Sequence, residues 1–138
     1  MSVKENVQIV KDAYAAFGLG DIQGLLALFA EDIEWIVPSE GWPLAGTYRG
    51  RAAVADFFQK VSETLEFSSF EPREFVAEGD RVLVAVFDIA RVKATNGTFE
   101  GHWVMAFTVQ HGKVMNVPEY IDTLAVARAF EMSTSAAA

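Results

Sequence analysis

Near the C-terminus, Glu119 and Asp122 stand three residues apart around Tyr120 in the segment Val117-Pro118-Glu119-Tyr120-Ile121-Asp122. Carboxylates and a phenol are the groups that general acid–base chemistry uses. A carboxyl group pressed into apolar surroundings has a raised pKa and exchanges protons near neutrality. The same six residues also suit a strand end running into a helix cap. Strand alternation puts Glu119 in one row with Val117 and Met115 and turns Tyr120 to the other face, where it packs at the sheet or subunit surface. Asp122 directly precedes Thr123-Leu124-Ala125, the position of a helix N-cap. Tyr14 lies on the apolar stripe of the first helical pattern, and a buried phenol seeks a hydrogen-bond partner, so its hydroxyl is a candidate to enter a pocket. The candidate catalytic set is Glu119 first, with Asp122 and Tyr14 assisting.

Other chemistries find less support. The chain has no cysteine, so thiol nucleophiles, disulfides and thiolate metal sites are excluded. Its two histidines, His102 and His111, form no helical or hairpin pair, and no metal is expected. There is no nucleophile elbow, P-loop or dinucleotide fingerprint, and no cofactor is expected. Asp88 and Arg91 are three apart on one strand, which puts them on opposite faces.

A formal charge of −8 disfavours nucleic acid and anionic membranes as partners, because phosphates call for clustered Lys and Arg. No apolar run approaches the ~20 residues that span a bilayer. Met1 to Glu5 runs directly into a helical pattern without a signal-peptide pattern, so a cytoplasmic protein is expected. Eleven Phe and three Trp in 138 residues predict a folded single domain over 1–132, with 133–138 as a disordered tail.

The elements that must position the candidates fall into two halves. Ser2 and Glu5 have capping-box spacing, and Val3, Val7, Val10, Tyr14 and Phe17 follow at helical intervals. Gly18 and Gly20 end that helix, and Asp21 caps a second with Ile22, Leu25, Leu26 and Phe29 on one face. Ile33 to Val37 reads as a strand stopped by Pro38, Ser39 to Gly50 as a loop, and the run with Val54, Phe57, Phe58, Val61 and Leu65 as a third helix. Then come four strands, Phe67 to Val76, Arg81 to Ala94, Thr98 to Gln110 and Lys113 to Tyr120. Hairpin turns at Glu78-Gly79-Asp80, Asn96-Gly97 and His111-Gly112 separate them. Pro72 marks an edge strand or a bulge. A short helix from Asp122 to Phe130 closes the chain. Helices followed by a meander predict an α+β fold with helices on the concave face of a curved sheet. The central strands are apolar on both faces, so the outer face is expected to meet a second subunit in a homodimer.

This order of elements resembles the NTF2-like superfamily of cone-shaped α+β barrels, and within it the SnoaL-like polyketide cyclases and ketosteroid isomerase relatives. The residues that carry the resemblance are Tyr14-Ala15-Ala16-Phe17 with Gly20-Asp21, Leu28-Phe29-Ala30-Glu31-Asp32-Ile33-Glu34-Trp35, Ala45-Gly46-Thr47-Tyr48-Arg49-Gly50-Arg51-Ala52-Ala53-Val54, Gly112-Lys113-Val114 and Glu119-Tyr120-Ile121-Asp122. The resemblance implies a deep pocket between the first and third helices and the sheet. It also places the steroid-isomerase base at Val37, its phenol at Ala13, one residue from Tyr14, and its protonated acid near Met105, so those roles are vacant. The acidic residues that the cyclases carry on the last strand match Glu119 to Asp122.

The pocket is expected to be lined by Trp35, Val37, Trp42, Tyr48, Phe58, Phe87, Trp103, Met105, Phe107 and Val117, with His102 facing away from it. Trp42 is a loop tryptophan placed to cover the mouth. The implied function is cofactor-independent proton transfer on a hydrophobic carbonyl-containing small molecule, by an isomerase, cyclase or dehydratase. The alternative is a non-catalytic module of the same fold that binds a hydrophobic ligand or serves dimeric association.

Overall fold

The computed structural model describes residues 2–38 and 43–137. Four helices and six strands follow the order α1 (Val3–Gly18), α2 (Ile22–Ala27), β1 (Phe29–Val37), β2 (Gly46–Arg49), α3 (Arg51–Thr64), β3 (Leu65–Glu78), β4 (Arg81–Val92), β5 (Thr98–Gln110), β6 (Lys113–Tyr120) and α4 (Thr123–Ala137). The strands form one curved, unclosed sheet in the order β2-β1-β6-β5-β4-β3. Every pairing is antiparallel except β1 with β6. The architecture is the α+β cone expected from the sequence.

Local chemistry explains the boundaries. The Ser2 hydroxyl accepts from the Glu5 N–H and the Glu5 carboxylate accepts from the Ser2 N–H, which completes the capping box. α1 ends at Leu19, and Gly20 takes the left-handed φ of +69° that turns the chain into Asp21, the cap of α2. Arg51, at the start of α3, donates two hydrogen bonds to the Phe29 carbonyl, so α3 is fastened to the beginning of β1. α1 packs across β3, β4, β5 and β6, while α3 packs against β1, β2 and β3.

Several details differ from the sequence reading. Phe29, expected on the second helix, opens β1, which was expected to start at Ile33, and Leu65, expected on the third helix, opens β3. Gly46–Arg49, expected within a loop, forms the edge strand β2 against β1, because this short run has only one strand to pair with. The buried face of α1 is centred on Asn6, Val10 and Ala13, and Val3 is exposed. α4 runs to Ala137 instead of stopping at Phe130, so residues 133–137 are helical. Pro72 satisfies both of its expectations: β3 is an edge strand, and its register shifts between Pro72 and Glu74. The Asn96-Gly97 turn also anchors α4: the Thr95 hydroxyl donates to the Ala129 carbonyl, and a side chain at Gly97 would collide with that carbonyl. Among the described residues no helix is long and apolar enough to cross a membrane.

Candidate active site

Alternation along each strand selects what enters the concave side. On β4 the inward row is Val82, Val84, Val86, Asp88, Ala90 and Val92, and on β5 it is Phe99, Gly101, Trp103, Met105, Phe107 and Val109. Trp35 pairs with Val117 across the parallel β1–β6 ladder, so Glu119, two residues on, lies in the same inward row. With α1 and α3 above, these rows surround a hollow of about 710 Å³, counting its open mouth. It is narrow: only about 70 Å³ is open to the centre of a water molecule. Among the described residues eighteen line it, of which ten are aromatic and none is Lys, Arg or His.

Two carboxyl groups enter this hollow. Glu119 is 8% exposed and accepts a hydrogen bond from the Trp35 indole N–H at 2.5 Å. Burial pushes its pKa up to about 7; the Trp35 bond opposes that shift, and the charge of Asp88 adds to it. Asp88 is 1% exposed and accepts from the Trp103 indole N–H at 2.8 Å. Burial raises its pKa to about 6, against the pull of Trp103 and of the Gly101 backbone N–H. Both carboxyls therefore lie in the range where a proton is held and released near neutral pH.

Aromatic packing fixes the two donors. The Trp35 ring sits among Phe29, Phe57, Phe58 and Phe107, with centroids 5.2–6.4 Å away, and Trp103 packs on Phe99 at 6.4 Å. Gly101 is required beneath Trp103, because a Cβ there would collide with both the Trp103 Nε1 and the Asp88 Oδ1. Tyr14 also lines the hollow. Burial and the charge of Glu119 hold its phenol protonated, and it donates to the Met105 sulfur at 3.1 Å. A thioether is a weak acceptor, so this hydroxyl is free to turn to a better one.

The residues picked from sequence divide as follows. Glu119, Tyr14, Trp35, Phe58, Trp103, Met105 and Phe107 line the hollow. Asp122 does not: it is exposed and its carboxylate accepts from the Ala125 N–H at 3.1 Å, capping α4. Phe87 is opposite His102 in the β4–β5 register and shares its outward face, stacked on that imidazole and beneath the Arg73 guanidinium. Val37 and Val117 are buried in the core without reaching the hollow. Tyr48 packs on Phe57 behind it, with its hydroxyl on the Leu44 carbonyl. Trp42 lies outside the described residues. Asp88 is a site residue that the sequence reading did not pick: alternation groups it with Val84 and Val86, but both rows of β4 are apolar and the pattern alone does not tell which row faces the helices.

The SnoaL-like domain family model matches residues 10–117. Among solved structures, an NTF2-like protein from Burkholderia xenovorans LB400 is 64% identical, with 94% of this chain and 98% of that one covered and a TM-score of 0.87. TerC, co-crystallised with polyporic acid, is 29% identical over 92% of this chain and 98% of its own, with a TM-score of 0.79. A candidate SnoaL-like polyketide cyclase from Mesorhizobium loti is 25% identical over 87% and 99%, with a TM-score of 0.72. No curated protein matches the chain.

Proposed function

The chain belongs to the SnoaL-like domain family, and on that premise we propose that it is an acid–base enzyme that moves a proton on an apolar, carbonyl-bearing small molecule. The observation that carries this reading is the Glu119 carboxyl, buried in an aromatic hollow, held by one indole and raised to about 7. The ionised carboxylate takes a proton from the carbon next to the carbonyl. The C–H pair becomes the enolate double bond as the carbonyl π pair moves onto oxygen, and the Tyr14 hydroxyl, leaving Met105, donates to that oxygen. Glu119 then returns the proton to a different carbon of a conjugated enolate, which is isomerisation, or the enolate carbon attacks a second carbonyl of the same molecule, whose π pair moves onto its oxygen and takes the proton from Glu119, which is cyclisation.

Two similarities support a ligand of this kind: TerC was co-crystallised with polyporic acid, and the Mesorhizobium loti relative is a candidate polyketide cyclase. The lining supports an uncharged ligand, because among the described residues an anion would meet two carboxyls and no cation. The test is deuterium incorporation next to the carbonyl of 2-tetralone in D2O, followed by NMR. The wild type should exceed Glu119→Gln by about 10²–10⁴-fold. Equal rates would point instead to a module that binds hydrophobic ligands without chemistry.

The outer sheet face supports a homodimer as the working form. Leu83, Val104 and Tyr120 are exposed there, beside a shallow hollow bordered by Arg73, Glu74, Phe87 and His102. Arg73 and Glu74 bring both charge signs to one patch, which suits pairing of the patch with itself about a two-fold axis.

A further inference from the structure

The proton transfer above uses Glu119 and Tyr14 and leaves the second buried carboxyl, Asp88, without a task. Asp88 on β4 is opposite Gly101 of β5, and Glu119 on β6 is opposite Met105 of β5. Gly101 and Met105 are four residues apart, about 13 Å along a strand. Trp103 stands between them on the same inward row. The two carboxyls thus enter one hollow from different positions along β5, near enough for the charge of Asp88 to reach Glu119, with Asp88 toward the β4–β5 turn, where α4 packs.

An apolar side chain of similar size at position 88 would avoid the desolvation of a carboxyl but would leave the Trp103 indole N–H without its acceptor. Trp103 turns its N–H onto Asp88, the Gly101 N–H is directed at it, and residue 101 lacks a side chain that would push the indole away. Two residues, Trp103 and Gly101, are arranged around keeping this carboxyl at the wall of the hollow. A carboxylate only accepts hydrogen bonds, so its complement is a donor on the ligand. The indole and backbone N–H groups already offset part of its charge, which favours a neutral hydroxyl over an ammonium.

We propose that Asp88 helps to bind the substrate by accepting a hydrogen bond from a hydroxyl group while Glu119 works on the carbonyl, so that the substrate class is an uncharged hydroxyaryl ketone. The carbonyl half of this statement rests on the proton-transfer reading of Glu119. The hydroxyl half rests on Asp88, Gly101 and Trp103 alone.

The test is binding to the full chain, read by quenching of tryptophan fluorescence, with 6-hydroxy-2-tetralone, 6-methoxy-2-tetralone and 2-tetralone. The methoxy compound keeps the oxygen and loses the donor. The wild type is expected to bind the hydroxy compound about tenfold or more tighter than the other two, the range for a hydrogen bond to a charged group. In Asp88→Asn that preference should shrink to about threefold or less. Equal affinities for the three ligands in the wild type, no binding of any of them, or a preference undiminished in Asp88→Asn would overturn the proposal. Should Asp88→Asn not fold, the hydroxy–methoxy comparison in the wild type still decides. Binding is read without turnover: a hydroxyl preference without deuterium exchange would overturn the proton-transfer reading and leave the Asp88 proposal standing.

Discussion

The indole N–H of Trp35 on β1 meets the carboxylate of Glu119 on β6, two strands that are neighbours only through the one parallel pairing of the sheet. The first and last strands of the chain thus jointly hold the group on which the proposed chemistry turns. Replacing Trp35 with Phe keeps a ring but leaves a buried carboxylate without that donor. The predicted cost is about 1–3 kcal/mol in chemical denaturation at pH 8, and less at pH 5, where Glu119 is protonated. An equal loss at both pH values would show that only packing was removed.

Both buried carboxyls make stability depend on pH with a definite sign. Glu119 titrates at 4.5 in an ordinary setting and at about 7 in the fold. Between those values the folded chain holds a proton that the unfolded chain has lost, so stability falls as pH rises, by about 1.4 kcal/mol per pH unit for each such group. Asp88, raised from 3.8 to about 6, acts in the same direction over a lower window. Denaturation midpoints should therefore drop from pH 5 to pH 8. Glu119→Gln should flatten the part of that drop that lies between about pH 4.5 and 7, on the order of 3 kcal/mol in total. A variant as steep as the wild type would contradict the burial of Glu119.

Much of this fold was legible because its signals are local. The Ser2–Glu5 box, the Asp21 cap and the three hairpin turns each rest on a few adjacent residues whose backbone chemistry has one good solution. The site was less legible because facing depends on register between distant strands. Phe87 was placed in the pocket together with Trp103, yet the Asn96-Gly97 turn pairs Arg91 with Thr98 and hence Phe87 with His102, on the opposite face. Asp88 shares a row with Val84 and Val86, but the alternate row of Leu83, Ala85, Phe87 and Ile89 is equally apolar, so the sequence left the inward row of β4 open. Strand β2 left little trace, being four residues long.

Gly101→Ala should force the Trp103 indole off Asp88. Stability is expected to fall by about 1–3 kcal/mol, and the Trp103 indole N–H resonance should move in a proton–nitrogen NMR spectrum. An unmoved resonance would mean that the indole bond to Asp88 is not what Gly101 protects.

Asp122→Ala removes only a helix cap. The expected loss is about 1 kcal/mol of stability, with the 2-tetralone exchange rate unchanged after correction for the folded fraction. A fall in exchange comparable to that of Glu119→Gln would restore Asp122 to the catalytic set.

The outer face gives a further prediction. Sedimentation of the wild type should report a dimer, and Leu83→Asp together with Tyr120→Glu should shift it to monomer by placing charge on that face. A wild-type monomer at micromolar concentration would remove the proposed partner.

The most direct measurement is a carbon NMR titration of the glutamate carboxyls, with the Glu119 signal identified by its loss in Glu119→Gln. A midpoint near 7 is predicted, displaced when 2-tetralone is bound. A midpoint in the ordinary range near 4.5, indifferent to that ligand, would mean that the carboxyl faces bulk water, and the account of the site would be wrong.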